Sequence, residues 1–178
     1  NYLCELKEMQ IRNGLHIFGV APKGRLLDDL LVALVRVPRG SGNAGEASLL
    51  RALSNDLDLR FDPLDCEMAA AWQGPKPKIL TGKGAWRCYG DTVERLEDLA
   101  SRLVSGEEKY EASWLQTKMV LENIETNIRP SVESCGSAEV AGLLRGLDGR
   151  FVEPGSSGAP TRGRLDVLPT GRNFYSVD

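Results

Sequence analysis

The chain has 178 residues, 42% hydrophobic and 26% charged, with a formal net charge of −3 at pH 7. These values suit one globular unit with a sizeable core, or one large piece of a bigger protein. They offer no broad positive field for nucleic acid or an anionic membrane, and no window is apolar enough for a membrane span.

Residues 2 to 12, YLCELKEMQIR, read as a helix, with Leu3, Leu6, Met9 and Gln10 at helical spacing. The chain starts without an initiator Met and inside this predicted helix, so a fragment of a longer protein is expected. Gly14 and Gly19 bracket a short apolar run, LHIFG, ahead of Pro22. Residues 25 to 37 repeat Leu27, Leu30, Leu31, Leu34 and Val35 as a second helix, which Pro38 and Gly40 end. Asn43-x-x-Glu46 is a start signal for a short helix carrying Leu49, Leu50 and Leu53.

Residues 60 to 90, with Pro63, Pro75, Pro77 and several glycines, read as an irregular excursion. Asp91-x-x-Glu94 resembles a capping box for an amphipathic helix that turns Val93, Leu96, Leu99, Ala100, Leu103 and Val104 to one side. A longer helix is expected from about Glu107 to Arg129, stopped by Pro130. Its buried face would be Trp114, Leu115, Met119, Val120, Leu121, Ile124 and Ile128. Ser137 then caps a last helix with Val140, Leu143, Leu144 and Leu147 inward and Gly149 at its end. Residues 154 to 178 form a Gly/Pro/Arg-rich loop segment. The expected fold is mostly α: a single helical domain fragment over residues 1 to 178, with long loops that are ordered or partly disordered.

Cys4, Cys66, Cys88 and Cys135 lie far apart in sequence and form no C-x-x-C, so a zinc site of short spacing is unsupported. Free thiols in a reducing, cytoplasmic setting are expected. Lys83 in ILTGKGAW fails the P-loop pattern, and no G-x-S-x-G elbow exists. His16, the lone histidine, is either a packed, hydrogen-bonded ring or a proton acceptor and metal ligand near neutral pH. Glu133 and Glu139 flank Ser137, where a carboxylate serves a helix dipole or, buried in an apolar cavity, exchanges protons. In the terminal segment, Arg162, Arg164 and Arg172 suit paired hydrogen bonds to carboxylates. Thr170, Gly171 and Asn173 add polar and backbone donors. The segment reads as a solvated linker or as the wall of a site for a large anionic ligand.

The stretch FVEPGSSGAPTRGRLDVLPTGRNFYSVD resembles a segment of the cobaltochelatase large subunit, the CobN family, which is related to the magnesium chelatase H subunit. LPTGRNFYSVD is its most specific part, and LCELKEMQIRNGLHIFG and SAEVAGLLRGLDGRFVEPG also fit. Arg172, Phe174, Tyr175 and the preceding TRGR favour the cobalt branch over the magnesium branch. The resemblance is weakest over residues 60 to 90.

This resemblance implies ATP-dependent insertion of Co2+ into hydrogenobyrinic acid a,c-diamide in cobalamin biosynthesis. Separate AAA+ partner subunits would hydrolyse the ATP. The isolated fragment would be inactive. It implies His16 and Glu139 as base and transient metal ligand in either order, with Glu5 a third candidate. Arg162, Arg172, Asn173, Thr170 and Gly171 would meet the macrocycle's polar periphery, and Phe174 and Tyr175 its apolar face. The alternatives are a magnesium chelatase subunit, placing Mg2+ in protoporphyrin IX, and a non-catalytic scaffold on which ATPase partners dock.

Overall fold

A computed structural model describes residues 17–36, 48–82, 84–156, 158, 160–162 and 164–172. The predicted helix over 2–12 and the Asn43–Glu46 signal lie outside them. The fold is mostly helical, as expected. Between described residues, extended pairing takes the form of isolated bridges, Ile17 with Val20 and Ala71 with Cys88.

Helix α1, Arg25–Val35, buries Leu27, Leu31, Leu34 and Val35, the face its periodicity marks. Helix α2, Leu49–Asp56, starts at Ser48. The Ser48 hydroxyl accepts the Arg51 N–H at 3.4 Å and donates to the Arg36 carbonyl, tying the start of α2 to the end of α1. Helix α3, Tyr89–Val104, buries all six apolar residues expected of it. Asp91 sits at its third position rather than at its cap. Its carboxylate accepts the N–H groups of Arg87 at 2.6 Å and Cys88 at 3.0 Å.

The long helix expected over 107–129 begins later. Gly106, at φ 78°, ends the turn after α3, and Trp114 drops into the core at 3% exposure. Helix α4 then spans Leu115–Asn123. Its first turn is capped from another helix: Asp56, at the end of α2, accepts the Thr117 N–H at 2.7 Å. Val120, Leu121, Ile124 and Ile128 are buried as expected, whereas Leu115 and Met119 face outward. With α4 starting at 115, the buried stripe follows Trp114, Thr117, Val120, Leu121 and Ile124.

Pro130 does not stop the helix. A π turn at Ile124–Ile128 leads directly into α5, Arg129–Leu147. The wider turn bonds the Arg129 N–H back to the Ile124 carbonyl, so Pro130, which has no N–H to give, falls where the register is already changing. Arg129 reinforces the junction. It reaches Asp28 of α1 at 3.4 Å, Glu125 at 3.0 Å and the Val104 carbonyl of α3 at 3.3 Å. Ser137 is therefore mid-helix, not a cap, and its hydroxyl donates to the Ser134 carbonyl. Val140, Leu143, Leu144 and Leu147 are exposed rather than inward, because this half of α5 extends past the core packed on Val132 and Ile128. Gly149 does end the helix, at φ 69°.

The 60–90 excursion is irregular but packed. Phe61, Trp72 and Tyr89 meet edge to face, with ring centroids 5.0–5.3 Å apart. Arg51 and Asp62 pair through two guanidinium nitrogens. Arg95, nearly buried, donates to the Asp91 and Gly84 carbonyls and lies 4.9 Å from the Trp86 ring.

Candidate functional site

Along α5, Cys135, Ala138, Glu139 and Gly142 share one face, because residues three and four apart are neighbours on a helix. Small side chains there let other backbone come close. Residues 17–21 cross the helix at Gly136, where a Cβ would lie 2.8 Å from the Ala21 nitrogen and the Gly19 carbonyl oxygen. Residues 169–172 cross it at Gly142, where a Cβ would overlap the Gly171 carbonyl oxygen.

Glu139 stands between the two crossings and is 4% exposed. One carboxylate oxygen accepts the Gly19 N–H at 2.8 Å. The other accepts the Thr170 hydroxyl at 2.5 Å. The Thr170 N–H is directed at the Cys135 sulfur at 3.4 Å, and Cys135 in turn donates to the Ser131 carbonyl. A charged acceptor buried with such donors holds them firmly, since a donor left unpaired in the interior is costly.

The segment before this crossing is anchored as well. Val167 is buried, and Leu165 and Leu168 pack on the core. The Arg164 guanidinium pairs with Asp166 at 2.9 Å and, with the Ser156 hydroxyl, holds that carboxyl well below the usual carboxylate range. The stem of Arg172 lies across the Gly155 backbone, where a Cβ would come within 2.7 Å of the Arg172 Cβ, while the residue as a whole stays exposed.

Of the residues singled out in sequence, Glu139, Thr170 and Gly171 come together, with Arg172 next in the chain. Arg162 closes a short 3-10 turn, Pro160–Arg162. His16 immediately precedes the crossing at 17–21, but it lies outside the described residues, as do Glu5, Asn173, Phe174 and Tyr175. Gly19, Cys135, Gly136 and Gly142 belong to the arrangement, and none of them was read as a site residue. For the three on α5 the signal was the clustering of small residues in CGSAEVAG, which does not reach Gly19. Among the described residues no three His, Cys, Asp or Glu side chains are grouped to hold a metal, and no helix is long and apolar enough to cross a membrane. A separate open cleft of about 530 Å3, between Asp58, Arg60, Trp72, Pro75 and Tyr89, shares no lining residue with Glu139.

A family model described as CobN/Magnesium Chelatase matches residues 1–178. The chain is 58% identical to the aerobic cobaltochelatase subunit CobN of a Sinorhizobium species and 54% identical to that of Pseudomonas aeruginosa. Both alignments cover 99% of this chain, which spans only 16% and 15% of those proteins. The catalytic subunit of cobaltochelatase from Mycobacterium tuberculosis is structurally similar, with a TM-score of 0.64 and 30% identity over 93% of this chain and 12% of that one.

Proposed function

Since the chain belongs to the CobN/Magnesium Chelatase family, we propose that it forms part of the tetrapyrrole- and metal-binding subunit of an ATP-dependent cobaltochelatase. The macrocycle is hydrogenobyrinic acid a,c-diamide, the metal is Co2+ as substrate, and partner ATPase subunits hydrolyse the ATP. The observation that carries this reading is identity of 54–58% to cobaltochelatase subunits along 99% of the chain.

The chemistry assigns work to the residues around α5. Metal insertion removes two pyrrolic N–H protons and strips water from the ion, so the site needs a base and a weak, transient ligand. His16 is assigned one of those roles; of the two glutamates the sequence offers for the other, Glu139 is buried and already accepts from Gly19 and Thr170, which favours Glu5. Arg172, Arg162 and Asn173 bind the peripheral carboxylates and amides, and Phe174 and Tyr175 lie against the ring. Anchoring of residues 164–172 supports this assignment, because a fixed backbone places Arg172 with little loss of freedom on binding.

The test uses the full-length subunit with its ATPase partners. Co2+ should enter the cobyrinate macrocycle, and His16→Ala should cut that insertion at least tenfold with little change in tetrapyrrole affinity. Unchanged insertion removes His16 from the site. Because the matched family spans both branches, Mg2+ with protoporphyrin IX is run in parallel. Faster Mg2+ insertion would move the chain to the magnesium branch.

A further inference from the structure

Glu139 sits where two stretches of chain that are distant in sequence cross one helix. Its bond to Gly19 closes a separation of 120 residues and its bond to Thr170 one of 31. Each carboxylate oxygen has a donor from a different segment. The flanking glycines bring those segments into backbone contact with α5, so neither could shift without breaking a bond to Glu139 or colliding with the helix.

We propose that Glu139 is a positioning residue: its carboxylate clamps residues 17–21 and 169–172 to α5 and so fixes the spacing between Ile17, where the first segment begins, and Arg172, where the second ends. This rests on the chelatase reading for what is being positioned, but not for the clamp itself. In this role the side chain works as the acceptor from Gly19 and Thr170, and the proton transfer and transient metal ligation fall to other groups.

Glutamine separates this role from a base or a ligand. In Glu139→Gln the amide oxygen accepts from Gly19 N–H, while the amide NH2 donates to the Thr170 hydroxyl, which can turn to accept. Both bonds survive, whereas the charge and the basicity are gone. Alanine removes everything. The same logic applies at Thr170, where serine keeps the hydroxyl and valine replaces it at similar volume.

In the full-length subunit with its partners, Glu139→Ala and Thr170→Val should raise the KM for the tetrapyrrole at least tenfold, and Glu139→Gln and Thr170→Ser should restore it to within about threefold of wild type, since a lost buried hydrogen bond to a charged group weakens what it supports by that order. Glu139→Gln as inactive as Glu139→Ala, with tetrapyrrole KM unchanged in both, would overturn the proposal in favour of a base or ligand. Hydrogen exchange of the peptide holding residues 17–21 is read alongside and needs no turnover. Exchange should accelerate in Glu139→Ala and stay slow in Glu139→Gln. Equal exchange in the two variants overturns the clamp even if the enzyme is a chelatase. Slow exchange restored by Gln in a protein that inserts no cobalt would leave the clamp standing and sink the chelatase reading.

Discussion

At position 142 a single methyl group decides whether the terminal segment can lie on α5. A Cβ there meets the Gly171 carbonyl oxygen, which is backbone and cannot swing aside. Gly142→Ala should therefore lower stability by about 1–3 kcal/mol, the usual cost of overpacking a fixed contact, despite alanine's better helix propensity. Thermal unfolding of the chain measures this, and a raised Tm would show that the crossing is not as close. Asp62 gives a second test at this scale. The Arg51 guanidinium beside it holds its carboxyl below the ordinary value of 3.8. A depressed carboxylate contributes stability above its unfolded pKa and loses it as pH falls through the lower folded one. Asp62→Asn should thus cost up to about 1 kcal/mol near neutral pH for so exposed a pair. The gap from wild type should close below about pH 4. A gap that widens in acid contradicts the sign.

Between helices, the joint from α2 to α4 depends on Asp56, whose carboxylate supplies the cap that α4's own sequence lacks. Asp56→Ala should cost about 0.5–2 kcal/mol, measured by chemical denaturation, and no loss would mean that Trp114 alone sets the start of α4. This joint also shows what sequence could and could not tell. The faces of α1 and α3 were legible because their apolar residues recur at helical spacing and nothing competes with it. The start of α4 was not, because the group that sets it lies about sixty positions away in the chain. Pro130 misled for a related reason: a proline bars the regular helical bond, but a π turn just before it changes which carbonyl is served. At the site, Thr170 and Gly171 stood out by composition, while the partnership of Glu139 with Gly19 needed the fold.

Over the whole molecule, the far half of α5 carries Val140, Leu143, Leu144 and Leu147 into the open, with Phe151 just beyond. Helical periodicity marks such residues as a face but cannot say what lies against it. Leu144→Lys and Leu147→Lys in this chain should change stability by no more than about 0.5 kcal/mol, although buried leucines at the same spacing would cost several. A large fall in Tm would place that face inside the core. The terminal crossing is the other large-scale feature, since residues 164–172 are held by Val167, by the Arg164–Asp166 pair and by Glu139. In the proposed chelatase, this held segment delivers Arg172 to a tetrapyrrole. Titration of hydrogenobyrinic acid a,c-diamide into the full-length subunit tests it most directly. Arg172→Ala should raise Kd at least tenfold, as expected for losing charge-assisted hydrogen bonds worth about 1.5–3 kcal/mol, while Arg172→Ala binding as tightly as wild type would contradict it.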